Sequence, residues 1–458
     1  MARCPPLDVI TPVSTYVLPL SKIISSVIPS SVQKATPRVI TLYTIDTYMS
    51  LFYLKKKDVR FGALIEIGSG SIVVSIIKSD AAKENPEIIW SQREFASLKS
   101  IKSHEQNDKS IMTVLMNVIL LVNSSGYKAL KGYDPNARIR HVQISITAPW
   151  SYTISKTIEY SDDQEFIITP ELIKNLTATA QKKADENKAE KEAVNKHGLT
   201  ILAKNIAGIQ SNGYKTTKPL NQKVKYVSIT QISAVAETSI TDAVIDLQRK
   251  ILPNADLKMY SFMMLFQTLT QKLYPKINDF CLIDVTYEAT EIAVVKNSTL
   301  QYCTQTIIGI NTLARGLAEV LKIPHEEALV FIREPYYSTA LKTLSDSKTK
   351  AVQEVLQNYR EQLVKLFKET GDNLSIPRII FLHGTAVADA VLQTEVMAAA
   401  HIATSSTHAV LEISSEILTK SYTAEQKKKL FSVTSDTSVL LAAQFFHTKE
   451  KMGNFIHE

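Results

Sequence analysis

With 458 residues the chain has room for about two to four domains with substantial cores. Apolar residues make up 45% and charged residues 21%, a globular balance that excludes a low-complexity chain. The net charge of +7 comes from dispersed lysines, with no basic stripe interleaved with aromatics, so nucleic acid is not an expected partner.

Residues 1–48 are poor in charge and rich in Ser, Thr, Val, Ile and Pro. Val9 to Ile28 is apolar but broken by Pro12 and Pro19, which suits neither a helix nor a signal peptide. Three readings stay open: a flexible extension, an anchoring segment, or sequence outside the natural product. Met49-Ser-Leu-Phe-Tyr-Leu-Lys-Lys-Lys57 reads as a protein start followed by a basic linker, so the functional chain is expected to begin near Met49. The three cysteines, Cys4, Cys281 and Cys303, form neither a metal spacing nor an even framework, which fits a reducing compartment. No uninterrupted apolar run of about 18 residues marks a transmembrane helix.

The first ordered stretch expected is Leu64-Ile-Glu-Ile-Gly-Ser-Gly-Ser-Ile-Val-Val-Ser-Ile-Ile-Lys78. It reads as strand, tight glycine turn, strand. Gly68 and Gly70 permit a sharp turn and a close backbone approach, and Ser69 and Ser71 add hydroxyls beside it. With Glu66 at the strand end, such a turn suits a phosphate and the water shell of Mg²⁺; an ordinary hairpin with a polar turn is the other reading. Glu87 to Glu94 is a further strand, Ser110 to Ser124 an amphipathic helix, and Arg138 to Ala148 an alternating strand.

From Tyr152 the pattern changes to a strand, a helix opened by Thr169 and Pro170, a charge-rich helical run to Lys196, then strands at Leu199–Ile209 and Val224–Ser233. Strand, helix, strand, strand makes an inserted unit over about residues 139–222. Helices follow at Thr238–Lys250 and Tyr260–Leu273.

A second copy of the first hairpin then appears, displaced by about 218 residues without a gap: Leu282-Ile-Asp-Val-Thr-Tyr-Glu-Ala-Thr-Glu-Ile-Ala-Val-Val-Lys296. Glu66 falls on Asp284, Ile67 on Val285, and Lys78 on Lys296. Two such units point to two related lobes whose turns face each other across a cleft. Gly309-Ile310-Asn311 turns into a helix, Pro324-His325 opens another, and Arg378–Leu382 is a buried strand entering His383-Gly384-Thr385-Ala386. Ser435 to His447 is an apolar terminal helix.

This order resembles the actin/Hsp70-like ATPase superfamily, in the branch that contains the division protein FtsA and the pilus protein PilM. Glu66-Ile-Gly-Ser-Gly-Ser71 looks like its first phosphate motif, Asp284-Val-Thr-Tyr-Glu-Ala-Thr290 sits where the second belongs, and Phe381-Leu-His-Gly-Thr-Ala386 where the adenosine motif belongs. The resemblance implies an α/β, two-lobed actin-like ATPase (ribonuclease H-like) fold with an inserted SHS2-like subdomain, spanning about residues 49–448. Its segments would be a first lobe at 49–138, the insert at 139–222, a return at 223–255, a second lobe at 256–424, and a C-terminal helix at 425–458 returning to the first lobe. It further implies ATP between the lobes, held by Glu66, Gly68, Ser69, Gly70, Ser71, Thr286, Tyr287, Thr290, Gly384 and Thr385. Glu66 and Asp284 would hold Mg²⁺ through water, with Asp284 near the attacking water. The second loop departs from the family, since Thr286, Tyr287 and Glu288 stand where glycines are expected. The resemblance therefore implies an FtsA-like protein of cell division or envelope assembly that binds ATP between its lobes, is at most a weak ATPase, and acts as a membrane-proximal scaffold or polymer-forming adaptor. A PilM-like pilus-assembly adaptor, or a non-enzymatic scaffold with a degenerate nucleotide site, is the alternative. Expected partners are proteins of the division or pilus machinery and further copies in a filament, at the cytoplasmic face of the membrane, with any membrane contact peripheral or through a partner.

Overall fold

The computed structural model describes residues 59–96, 104–177, 198–216, 218–333, 341–370, 376–384 and 390–451. The expectations for residues 1–48 and for Thr385 lie outside them.

Two sheets carry the repeat seen in the sequence. In the first, strands β1 (Val59–Ile67), β2 (Ser71–Asp80) and β3 (Glu87–Phe95) form an antiparallel meander. β4 (His141–Ile146) adds parallel to β1. After the insert, whose four strands β5–β8 are described below, β9 (Asp256–Ser261) adds parallel to β4, so the order is β3-β2-β1-β4-β9. The second sheet repeats this plan with β10 (Phe280–Val285), β11 (Thr290–Lys296), β12 (Thr299–Thr306), β13 (Ile379–Gly384) and β14 (Ala409–Glu412), ordered β12-β11-β10-β13-β14. Even the register repeats: Glu66 lies opposite Val73 and Ser145, and Asp284 opposite Glu291 and His383.

Alternation along the strands divides each sheet into two faces. On the first sheet Ile65, Ile67, Val74 and Ile144 pack with Ile111, Leu115, Val118 and Val122, from helix His104–Leu121 and the turn after it, and with Ile240 and Val244 of helix Thr238–Ile251. On the second sheet Ile283, Val285, Ile292 and Leu382 face helix Ile310–Leu321 and the long helix Asp346–Lys368. The other faces share one core: Leu64, Val73 and Ile77 meet Leu282, Val295 and Phe381 through helices Phe262–Leu273 and Thr437–Lys451. Glu66 and Asp284 alternate in step with Leu64 and Leu282, so both carboxylates project towards this inter-lobe side.

The third sheet is inserted between β4 and helix Thr238–Ile251. It contains β5 (Ser151–Ile167), β6 (Leu199–Ser211), β7 (Tyr214–Thr216) and β8 (Lys223–Glu237), ordered β5-β8-β6-β7, with a helix from residue 170 to 177 between β5 and β6. The expected boundaries shift. β4 belongs to the first sheet, and β8, assigned to the returning segment, pairs along its length with β5 and β6. β9, assigned to the second lobe, lies in the first sheet. Alternation identifies a strand but not its neighbours, which is why β4 and β8 were found but not their assignments; β9 was missed as a strand, the helix expected from Tyr260 starting only at Phe262. Among the described residues, Lys109–Tyr133 is long and apolar enough to cross a membrane by length and composition. Ile111, Leu115 and Val118 of this stretch are fully buried against the first sheet.

Candidate functional site

The two hairpin turns meet directly. Ser69 Oγ lies 2.7 Å from Thr286 Oγ1, and the backbone N–H of Glu288 donates to Ser69 Oγ at 2.8 Å. The Thr286 hydroxyl donates in turn to the Ala289 carbonyl at 2.9 Å. Tyr287 packs so closely on Gly70 that a Cβ there would stand 2.6 Å from the Tyr287 Cβ. The Tyr287 ring meets Phe95 edge-on, with centroids 5.9 Å apart. Ser69, Ser71, Thr286, Tyr287, Glu288 and Thr290 are all buried.

The N-terminus of helix Ile310–Leu321 closes the second turn from behind. Ile310 N–H donates to the Thr286 carbonyl and Asn311 N–H to the Tyr287 carbonyl, at 3.0 and 2.8 Å. These are two of the N–H groups with which a helix end could otherwise hold an anion. Glu288 turns away from the first loop. It takes two hydrogen bonds from Arg315, at 2.9 and 2.8 Å, and one from Asn311 at 2.8 Å. Thr290 donates to the Ile308 carbonyl and fastens the strand after the turn.

The carboxylates lie just behind the turns. Asp284 Oδ1 is 2.7 Å from His383 Nδ1, with both side chains buried, and His383 Nε2 is 3.1 Å from Thr437 Oγ1. Arg93 donates to Asp436 at 2.8 Å and to Ser71 Oγ at 2.6 Å. Asp436 accepts from the N–H groups of Ser438 and Val439 and so caps the terminal helix. The start of that helix thus ties β3 of the first lobe to β10 and β13 of the second. Burial works to raise the Asp436 carboxyl, but the charge and hydrogen bond of Arg93 hold it below the usual range. Glu66 is the odd member: it is 3% exposed and neither oxygen has a hydrogen-bond partner. Burial pushes its carboxyl up to about 7, against the pull of Arg93 and with further push from Asp436 and Asp284. Glu291, opposite Asp284, is raised well above the carboxylate range by burial and by the Asp284 charge.

The structure therefore brings Glu66, Gly68, Ser69, Gly70, Ser71, Asp284, Thr286, Tyr287 and Thr290 to one place, with Gly384 beside Val285 on the neighbouring strand. Arg93, Asp436, Glu291 and Arg315 were not singled out as site residues. The available signals were an arginine inside an alternating strand and an Asp just before an apolar helix. The orphaned oxygens of Glu66 and Asp284 suit a hydrated cation. The turns do not suit the phosphates that would accompany it. With Ser69 touching Thr286, no gap remains for a phosphoryl group, and the ATP–Mg²⁺ expected from the resemblance does not fit between the loops as they stand.

Two meander sheets related by a repeat, packed across a shared core, with a strand-end carboxylate in each, make this an actin-like ATPase fold in two lobes. A solved structure agrees. The chain is similar to the PilM–PilN type IV pilus biogenesis complex, with a TM-score of 0.50 at 11% identity, covering 84% of this chain and 98% of that one. It is also similar to the ethanolamine utilization protein EutJ from Carboxydothermus hydrogenoformans, with a TM-score of 0.39 at 11% identity over 83% and 89% of the two chains. An actin-like ATPase-fold protein from Bacteroides thetaiotaomicron aligns with a TM-score of 0.37 at 10% identity, over 83% and 98%. No family model and no curated protein matches the sequence.

Proposed function

We propose that this chain is an adaptor that uses the actin-like fold to hold protein partners of an envelope machinery, of the pilus-assembly kind, without turning over ATP. The observation that carries the reading is the direct contact of Ser69 with Thr286 and with the Glu288 N–H, which fills the place where phosphates would lie. Three polar links across the lobe junction, at Ser69–Thr286, Arg93–Asp436 and His383–Thr437, favour one fixed closed arrangement over a nucleotide-driven switch. The similarity to the PilM–PilN complex supports a protein partner, and the cytoplasmic face of a membrane is the location that accompanies this reading.

A division-type protein that binds ATP and assembles into filaments is the second reading. It is favoured by Glu66 and Asp284, at equivalent strand ends, where both Glu66 oxygens and Asp284 Oδ2 are buried without partners. Calorimetric titration of the full chain with ATP–Mg²⁺, with Asp284→Ala in parallel, separates the two. The adaptor gives no heat and no thermal shift at millimolar ATP. Micromolar binding that disappears in Asp284→Ala overturns the adaptor reading and establishes a working cleft.

A further inference from the structure

The outer face of the apolar stretch in the first lobe has no function in the site above. Its inner side is in the core, but Met116 and Leu120 are 56% and 58% exposed, and Tyr127, seven residues further on past the π-helical turn Val122–Gly126, is 41% exposed. Met116 and Leu120 lie one turn apart on one side of the helix, about 6 Å along its axis at 1.5 Å per residue, and the wider turn Val122–Gly126 rotates Tyr127 off that line. Tyr127 is also the rim of an open groove of about 510 Å³, lined by Arg138, Ile139, Arg140 and the segment Ile251–Ala255. Arg138 and Arg140 are exposed, and among the described residues their guanidinium groups form no ion pair or hydrogen bond. Lys131 lies 5.3 Å from the Tyr127 ring, and its ammonium donates to the Pro135 and Ala137 carbonyls. Between Lys109 and Arg140 the chain carries five basic side chains and one acidic one, Asp134.

We infer that this face is a docking surface for an anionic lipid bilayer. Exposed apolar side chains on a helix lying parallel to a surface enter the boundary between headgroups and acyl chains, while arginines beside them meet the headgroup phosphates. Charge complementarity selects this occupant. A protein helix would be satisfied by Met116, Leu120 and Tyr127 alone, whereas two unpaired arginines lining the groove beside Tyr127 match a plane of negative charge. Lys131 beside the aromatic rim adds to the attraction. The inference is independent of the adaptor reading, because none of these residues belongs to the inter-lobe site.

The test is flotation of the full chain with vesicles of phosphatidylcholine, alone or mixed with phosphatidylglycerol. The chain is expected to float with the mixed vesicles and to be released by high salt. Arg138→Gln with Arg140→Gln should weaken binding by about tenfold or more, since each basic side chain near an anionic surface contributes appreciably. Met116→Ser with Leu120→Ser should weaken it comparably, and both pairs, being exposed, should keep the wild-type circular dichroism and melting temperature. Equal flotation with phosphatidylcholine alone overturns the inference, as does flotation unchanged in both double variants. Failure to float, with self-association in sedimentation that Met116→Ser and Leu120→Ser abolish, overturns it in favour of a protein–protein face.

Discussion

Glu66 sits in the first lobe as a carboxyl that the fold prefers to keep protonated. Its carboxyl is raised to about 7 by burial, whereas in the unfolded chain it titrates near 4.5. Between those values the folded chain binds more protons than the unfolded one, so stability falls as pH rises through the window, by up to about 3 kcal/mol, and no further loss from Glu66 follows above it. Asp436, held low by Arg93, acts in the opposite direction below this window and does not mask the effect. His325 and His408, held below the usual imidazole value by burial, act the other way in this range, so the Glu66 share is read as a steeper decline of the urea midpoint from pH 5 to pH 8 in the wild type than in Glu66→Gln. Glu66→Gln should remove its share and exceed the wild type at pH 8, with Glu291 supplying the remaining decline. An unchanged slope in Glu66→Gln would show that the carboxyl is solvated or paired. Glu66 and Asp284 were legible because a repeat of about 218 residues places both at the same point of the same pattern. Their companions were not. His383 lies 99 residues from Asp284, and Arg93 lies 343 from Asp436, and pairs so distant leave no local signature.

At the scale of elements, the second turn is held from both sides, by Ser69 in front and by the helix after Gly309 behind. A Cβ at Gly309 would stand 2.4 Å from the Thr286 and Tyr287 carbonyl oxygens, and these are backbone atoms that cannot rotate aside. Gly309→Ala is expected to cost about 3 kcal/mol or more in chemical denaturation, because the turn must leave either the helix or Ser69. Gly132, in the helix Tyr127–Tyr133, provides the contrast, with nothing within 4 Å of the added carbon. Gly132→Ala should stabilise by about 0.5–1 kcal/mol, as expected for removing a helical glycine. Equal effects at the two positions would refute the steric account. The substitution of Thr286, Tyr287 and Glu288 for glycines was visible in the sequence as an obstruction. That Glu288 would be taken up by Arg315, rather than face the first loop, depends on how helix Ile310–Leu321 is placed, which pattern alone does not give.

For the whole molecule, the shared core decides cooperativity. Leu64 and Val73 of one sheet and Leu282 and Phe381 of the other are buried in one cluster with Leu441 and Phe445 of the terminal helix. Neither lobe can unfold without exposing the other's inner face, so calorimetry should record a single transition for the lobes. Leu441→Ala, at a position with no exposure, should lower stability by about 2–5 kcal/mol while keeping that transition single. Two separated transitions would show that the lobes are energetically independent. The two-lobed plan was readable from repeated strands and the order of elements; the sheet membership of β8 and β9 was not, since it is fixed by hydrogen bonding across the insert. The terminal helix also sets a timetable. Arg60 stacks on Phe446, and Ser79 bonds His447, across 386 and 368 residues respectively. During synthesis Leu64, Val73 and Ile77 emerge early and lack this cover until residues 437–447 have left the ribosome. At about 5–20 residues per second that is a wait of tens of seconds. The nascent first lobe is thus a sticky surface through most of translation and a natural client for a chaperone.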